Sequence, residues 1–269
     1  MRMHDLRSLL GISLAIKVVD VGASAIDGPA PYTPLRAGPG GAAIVGFEPN
    51  RQALADLARR APPSDRYLPH AVGDGRRRTL HYCRALGMTS LLQPNPEVLA
   101  LFGGFPEWGQ VVETERIDTV RLDDVPETAG LDVLKLDVQG AELMVLQNAR
   151  RRLGEALVIH TEVEFLPMYQ DQPLFAEIEQ YLRRQGFLFH CFAGLAPRAV
   201  QPLQVANDQY GGLNQLLWAD AVFIRSFVDM AKFAPERLLR MATIRRASTI
   251  LRQCSDQFRQ PISPRFQAG

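Results

Sequence analysis

The residues best placed for chemistry lie in two short stretches of the second half of the chain. Leu134-Lys135-Leu136-Asp137-Val138-Gln139-Gly140-Ala141-Glu142 is an apolar run that ends in an acid, passes a glycine and enters a helix opened by another acid. An open parallel sheet presents a carboxylate in this way at the carboxyl end of a strand, where α/β ligand crevices lie. Further on, Val158-Ile159-His160-Thr161-Glu162-Val163-Glu164 spaces His160, Glu162 and Glu164 two apart, hence on one face of a strand. An imidazole or carboxylate there can take the proton of a hydroxyl as a general base, or join Asp137 around a divalent cation. The reading adopted is a base and no metal, with Asp137, His160 and Glu162 as the candidate catalytic residues.

Two earlier segments offer a place to a nucleotide-containing cofactor. Val18-Val19-Asp20-Val21-Gly22-Ala23 is a strand that turns into glycine, which lets a cofactor approach the backbone. The stretch from Gly22 to Gly28 holds no GxGxxG, so the pyrophosphate cradle of a dinucleotide enzyme is missing. S-adenosylmethionine has no pyrophosphate and tolerates that loss. Ile44-Val45-Gly46-Phe47-Glu48-Pro49-Asn50 ends a second strand at Glu48, whose carboxylate can accept from both hydroxyls of a ribose. Asp74, between Gly73 and Gly75, can accept from an adenine amino group, although Asp-Gly is also an ordinary turn pair.

In order and spacing, the pieces VVDVGA, GFEPN, GMTSLL, LDVLKLDVQGAE, HTEVEF and LFAEIEQYLRRQGF resemble the FkbM-type methyltransferase family across roughly residues 17–192. That resemblance implies a Rossmann-like methyltransferase sheet, mostly parallel with an antiparallel last strand, and helices on both faces. It implies S-adenosyl-L-methionine as cofactor and O-methylation of a hydroxyl on a small molecule or glycan. Asp20, Gly22 and Glu48 would line the cofactor, and Asp137 would face its methionine end or methyl group. The chain departs from the family pattern in its first loop. Ser24 takes the usual Asn position and a Pro-rich stretch, Asp27-Gly28-Pro29-Ala30-Pro31-Tyr32, follows, so the first helix must be short or displaced. The altered loop leaves open a catalytically degenerate cofactor-binding module that acts through protein partners. A nicotinamide-dependent oxidoreductase is a third reading, without its glycine fingerprint.

The elements that must position these residues read as alternating strands and helices, the signature of βαβ units. Strands are expected at 17–21, 42–47, 67–72, 131–137, 156–165, 187–192 and 216–224, with an extended segment over 111–122 at the sheet margin. Asn50 is placed to cap a helix that Pro62-Pro63 stops, and Ala141, Val145, Ala149 and Leu153 share one face of another. Asp171, Pro173 and Gly186 frame a third helix whose buried face includes Leu174, Ile178 and Leu182. Phe102, Phe105 and Trp108 fall in a Gly/Pro-punctuated insertion and read as packing, and the polar loop 207–212 as a turn that can touch substrate.

Composition bounds the rest. A chain of 269 residues with 46% hydrophobic and 22% charged residues is an ordinary globular protein large enough for one sizeable core. A net charge of +1 argues against nucleic acid as a partner. Eight Lys and Arg against three Asp and Glu concentrate positive charge in residues 227–269, so the expected division is a methyltransferase domain over 1–226 and a basic helical appendage over 227–269. No apolar run reaches membrane-spanning length. Cys83, Cys191 and Cys254 stand far apart outside any CxxC pattern, so neither a zinc site nor a disulfide is expected and a cytoplasmic location fits.

Overall fold

Alternating apolar residues decide how the strands sit in the computed structural model, which describes residues 6–24, 29–208, 211–228 and 230–247. In β1 (Ile16–Val21), Val19 and Val21 point to one side and Ile16 and Val18 to the other, all fully buried. β2 (Ala42–Phe47) repeats the pattern, and a strand with two apolar faces belongs inside a sheet covered on both sides. The remaining strands are β3 (Arg66–Leu68), β4 (Ala71–Val72), β5 (Arg77–Cys83), β6 (Val111–Val120), β7 (Val133–Leu136), β8 (Val158–Glu164), β9 (Phe187–Arg198) and β10 (Gln215–Arg225). The helices are α1 (Leu6–Leu10), α2 (Arg51–Arg60), α3 (Pro96–Leu99), α4 (Phe105–Trp108), α5 (Glu142–Gln147), α6 (Arg150–Glu155), α7 (Phe175–Arg184) and α8 (Pro235–Ala247).

Seven strands form the main sheet in the order β3-β2-β1-β7-β8-β10-β9. The first five pair in parallel, and β10 runs antiparallel to both of its neighbours, β8 and β9. This is the mixed α/β architecture expected, consistent with a Rossmann-like methyltransferase fold. From β1 the chain builds outward through β2 and β3, then returns to the other side of β1 with β7. The order therefore reverses between β1 and β7, and their carboxyl ends flank the crevice where such sheets bind ligands.

One face of the sheet packs against α5, α6 and α7 through Val145, Leu146, Ala149, Leu153, Ile178 and Leu182. The other is covered by Leu35 of a short 3-10 turn and by Met241 and Ile244 of α8. Arg240 ties α8 down further, donating to Asp132 Oδ2 and to the Ala15 carbonyl at 2.9 Å each. At the other terminus Arg7, fully buried, donates to the carbonyls of Leu14, Gly41 and Leu35 and fastens α1 to the strand entrances. No helix among the described residues is long and apolar enough to cross a membrane.

Several expectations are refined. The strand expected over 67–72 is two: β3 joins the main sheet, the chain breaks at Pro69-His70, and β4 pairs with β6 in a second sheet ordered β4-β6-β5. β5 gave no signal because its alternation is weak, with only Leu80 and Cys83 buried. The helix after β7 divides into α5 and α6 at Asn148-Ala149, yet Ala141, Val145, Ala149 and Leu153 are all buried as their spacing predicts. Asn50 caps α2 by accepting from Gln52 and Ala53 N–H groups at 3.0 Å, although Leu54 and Leu57 are only half-buried. Leu174, not Asp171, occupies the N-cap of α7. No α-helix is described between β1 and β2; the Pro-rich segment leads into the 3-10 turn Thr33–Ala37 instead. Cys191 is disulfide-bonded, which corrects the expectation drawn from cysteine spacing, because separation along the chain does not preclude contact in the fold. Cys83 is free and buried. Cys254 and the terminal segment from 248 lie outside the described residues.

Candidate functional site

Strand register brings the ionisable residues together. Asp20 on β1 pairs with Lys135 on β7, and Lys135 pairs with His160 on β8. Asp137 and Glu162 each follow two residues later in their chains, one step nearer the carboxyl ends. A cavity of about 1090 Å³ opens over these ends. Gly22, Glu48, Asp137, Gln139 and Glu162 are among its lining residues, with Asp20, Lys135 and His160 beneath them and Trp218 and Asp220 contributed by β10.

Gly22 is required by packing as much as by any ligand. Its φ is 78°, and a Cβ there would overlap the Asp137 carbonyl oxygen, so only glycine lets β1 and β7 end this close together. Beside it, Asp20 is buried at 2% exposure. The Tyr32 hydroxyl donates to Asp20 Oδ2 at 2.6 Å, and Lys135 Nζ lies 3.3 Å from Asp20 Oδ1. The Pro-rich segment thus folds over the end of β1 and supplies a hydroxyl to the acid. Burial pushes the Asp20 carboxyl up, against the opposing charge of Lys135. Lys135 also donates to the Gly22 carbonyl at 2.9 Å and lies 3.5 Å from Asp137 Oδ2. Burial opposes its charge, but Asp20 and Asp137 more than offset this and hold the ammonium above the ordinary lysine range.

Glu48, 7% exposed, ends β2 and accepts from the Asn50 N–H at 2.8 Å through Oε1. Burial pushes its carboxyl up. Asp137 and Glu162 are joined by Gln139, whose amide donates to Asp137 Oδ1 at 2.8 Å and to Glu162 Oε2 at 2.9 Å. Gln139 reaches both because its φ is 56°, a left-handed conformation that non-glycine residues adopt rarely and mostly where function holds them. Tyr169 OH donates to Gln139 Oε1 and Ser90 OH to its carbonyl, so the strained residue is anchored on both sides. Burial and the charges of Asp137, Glu164, Glu142 and Asp220 push the Glu162 carboxyl well above the usual carboxylate range.

His160 is 4% exposed, and its Nε2 lies 3.2 Å from Asp220 Oδ1 while its Nδ1 has no hydrogen-bond partner. Burial raises the Asp220 carboxyl, but the hydrogen bond and charge of His160 outweigh it and hold the group below its ordinary value. A carboxylate that receives the Nε2–H fixes the tautomer in which Nδ1 carries a lone pair. The imidazole so oriented stands in the cavity wall with its acceptor nitrogen buried and unpartnered, and it can serve as a base only for a hydroxyl seated against that nitrogen.

The structure therefore gathers Asp20, Gly22, Glu48, Asp137, His160 and Glu162 around one cavity. It does not bring Asp74 there. The Asp74 carboxylate accepts from Arg78 Nε at 3.2 Å and from the Arg76 N–H at 3.2 Å, and the Arg78 hydrogen bond holds it below its ordinary range. Its segment meets the cavity through His70, Ala71 and Val72 instead, with His70 exposed. Glu164 is buried and does not line the cavity, and Glu142 is among the charges it meets. Phe102 and Phe105 are buried in a third apolar cluster with Leu99, Tyr169 and Leu217, which accounts for the aromatic insertion as packing. The described part of the loop 207–212 does not line the cavity, and Gln209 and Tyr210 lie outside the described residues. No group of three or more metal-ligating side chains occurs among the described residues.

Sequence reasoning missed Tyr32, Lys135, Gln139, Trp218 and Asp220. Lys135 carried a signal, as the lone charge inside the apolar run of a central strand. Trp218 and Asp220 share a face of β10 by their spacing, but nothing local ties that face to His160.

The cavity suits a cofactor such as S-adenosylmethionine. Its volume is close to that of pockets for drug-sized ligands, and a buried carboxylate, Glu48, held by the backbone of Asn50 and Ser24, stands at the end of β2. A family model described as the methyltransferase FkbM domain matches residues 20–189, which include Asp20, Glu48, Asp137, His160 and Glu162 and leave out Trp218 and Asp220. No curated protein matches the chain.

Proposed function

This chain belongs to the FkbM methyltransferase family, and from that premise we propose that it transfers the methyl group of S-adenosylmethionine to a hydroxyl oxygen of a small molecule or glycan. The observation that supports the hydroxyl half is the His160–Asp220 pair, a buried imidazole with an unpartnered Nδ1 in the wall of the cavity that Asp137 also lines. When bound, the cofactor supplies an electrophilic methyl on a cationic sulfur.

Glu48 takes the ribose hydroxyls at the end of β2, its carboxylate fixed by the backbone of Asn50 and Ser24. Asp137, held by Lys135 and Gln139, offers negative charge to the methionine end, and Asp20 supports it through the shared ammonium. His160 accepts the hydroxyl proton at Nδ1, and Asp220 stabilises the imidazolium that results. Glu162, oriented by Gln139, binds the acceptor on the adjoining wall. The chain's main task is alignment of the reacting groups, which supplies much of the rate in such transfers; a positioned base adds about 10²–10⁴-fold.

Calorimetric titration tests the reading. S-adenosylmethionine and S-adenosylhomocysteine should bind with one site each, and NAD should give no heat. Binding of NAD alone would overturn the proposal.

A further inference from the structure

Glu162 on β8 and Asp220 on β10 are direct partners in the antiparallel register, and both line the cavity. Side chains opposed in this way start about 4.5–5.5 Å apart, and like charges there are destabilising. Each carboxylate has one oxygen engaged, Glu162 Oε2 by the Gln139 amide at 2.9 Å and Asp220 Oδ1 by His160 Nε2 at 3.2 Å. Among the described residues the second oxygens have no such partner. Lys135 is the only Lys or Arg among the described residues lining the cavity, and its ammonium is directed at the Gly22 carbonyl, Asp20 and Asp137. Among the described residues Glu162 is thus left without an ion pair, and Asp220 has only the imidazole of His160.

A further feature keeps this place open to a cation. Gly194 faces Asp220 in register on β9, and a Cβ there would stand 3.2 Å from Asp220 Oδ2, so the missing side chain leaves that oxygen accessible. His160, buried with its Nδ1 unpartnered, lies at the same end.

We infer that the acceptor bears a protonated amine close to the hydroxyl to be methylated, and that this ammonium sits between Glu162 and Asp220. The inference rests on the methyltransferase reading above and narrows its acceptor to amine-bearing hydroxyl compounds, amino sugars among the glycans. An ammonium favours the ionised form of Glu162, which burial and the neighbouring acids oppose, and forms charge-assisted hydrogen bonds to both carboxylates. A neutral polyol leaves the opposition in place, and a carboxylate or phosphate meets like charge, which selects against it.

The test uses three pyranosides matched in shape: methyl glucosaminide, methyl glucoside and methyl glucuronide. Each is titrated calorimetrically into the full chain saturated with S-adenosylhomocysteine, and into the chain alone. The glucosaminide should bind at least tenfold more tightly than the glucoside, and the glucuronide should not bind. Glu162→Gln and Asp220→Asn, which keep the side-chain shapes, should each reduce that preference by about tenfold. Equal binding of the three, binding of none, or an ammonium preference that survives both substitutions would overturn the inference. Failure of S-adenosylhomocysteine to bind would instead count against the methyltransferase reading, while the titrations into the chain alone would still decide on the amine.

Discussion

Replacing Asp220 by Asn tests the pairing on which the hydroxyl chemistry depends. The substitution keeps the shape of the side chain and removes its charge from a point 3.2 Å from His160 Nε2. Two unit charges about 4 Å apart interact by about 1 kcal/mol in bulk water and about 4 kcal/mol at the effective dielectric of a protein surface. The Asp220 side chain is 51% exposed while that of His160 is 6% exposed, so solvent screens one end only and the lower half of this range applies. A loss of about 1–2 kcal/mol in stabilising the imidazolium corresponds to about 5- to 30-fold in rate. Steady-state release of S-adenosylhomocysteine with an amine-bearing acceptor should show that fall in kcat. Calorimetric affinity for S-adenosylhomocysteine should stay within about twofold, because Asp220 lies on the acceptor wall. A folded Asp220→Asn enzyme with unchanged kcat would refute the dyad, and a parallel loss of cofactor affinity would move Asp220 to the other lobe of the site.

Three other outcomes are expected. Glu48→Ala should weaken S-adenosylhomocysteine binding by about one to two decades with the fold kept, since a charge-assisted hydrogen bond contributes roughly 1.5–3 kcal/mol; unchanged calorimetric affinity removes Glu48 from the site. Glu142 is fully buried and its carboxyl is pushed up to about 7 by burial. An acid raised in the folded state binds more protons there than in the unfolded chain, so its contribution is complete below about pH 4.5 and is lost as pH rises toward 7. Glu142→Gln should therefore flatten the melting temperature between pH 5 and 8 and raise it at pH 8 by about 2–5 °C, and a wild-type melting curve independent of pH in that window contradicts this. Truncation after Ser226 removes Met241, Ile244 and the Arg240–Asp132 pair, so thermal stability should fall by several kcal/mol, at about 1.5–3 kcal/mol for each apolar side chain. If residues 227–269 are an accessory to the site, as their basic composition led us to propose, the truncated chain should still bind S-adenosylhomocysteine below its lowered melting point; loss of binding while folded would make them part of it.

Much of the fold was legible because the sheet's central strands are apolar on both faces and their ends are punctuated. Val18-Val19-Asp20-Val21-Gly22 and Leu134-Lys135-Leu136-Asp137 announce both a buried strand and the point where it stops. β2 runs over 42–47 as read, since Gly41 and Glu48 bound an uninterrupted apolar stretch. β5 was illegible, because Arg77-Arg78-Thr79 reads as surface and its pairing with β6 is set by a partner more than thirty residues away in the chain, as in the Arg77–Asp118 match. The same limit governs the site. Asp137 follows the end of β7, and His160 and Glu162 share one face of β8, where local pattern reports position. Tyr32 reaches Asp20 only because a Pro-rich segment folds back, and Gln139 reaches Glu162 only through a left-handed backbone, neither of which residue types encode. Asp74 was read as a cofactor contact from its turn alone, and the competing partner Arg78 lies four residues on, on the strand that went unrecognised.

A crystal structure of the chain with S-adenosylhomocysteine tests the central claim most directly. The account predicts the ribose hydroxyls on Glu48, the methionine end beside Asp137, and the sulfur facing the lobe that holds His160 and Glu162, close enough for an acceptor oxygen to stand between. Near-attack geometry requires reacting atoms about 3–3.5 Å apart. A sulfur more than about 10 Å from the His160 ring leaves no room for that contact, and a complex so arranged would contradict the account.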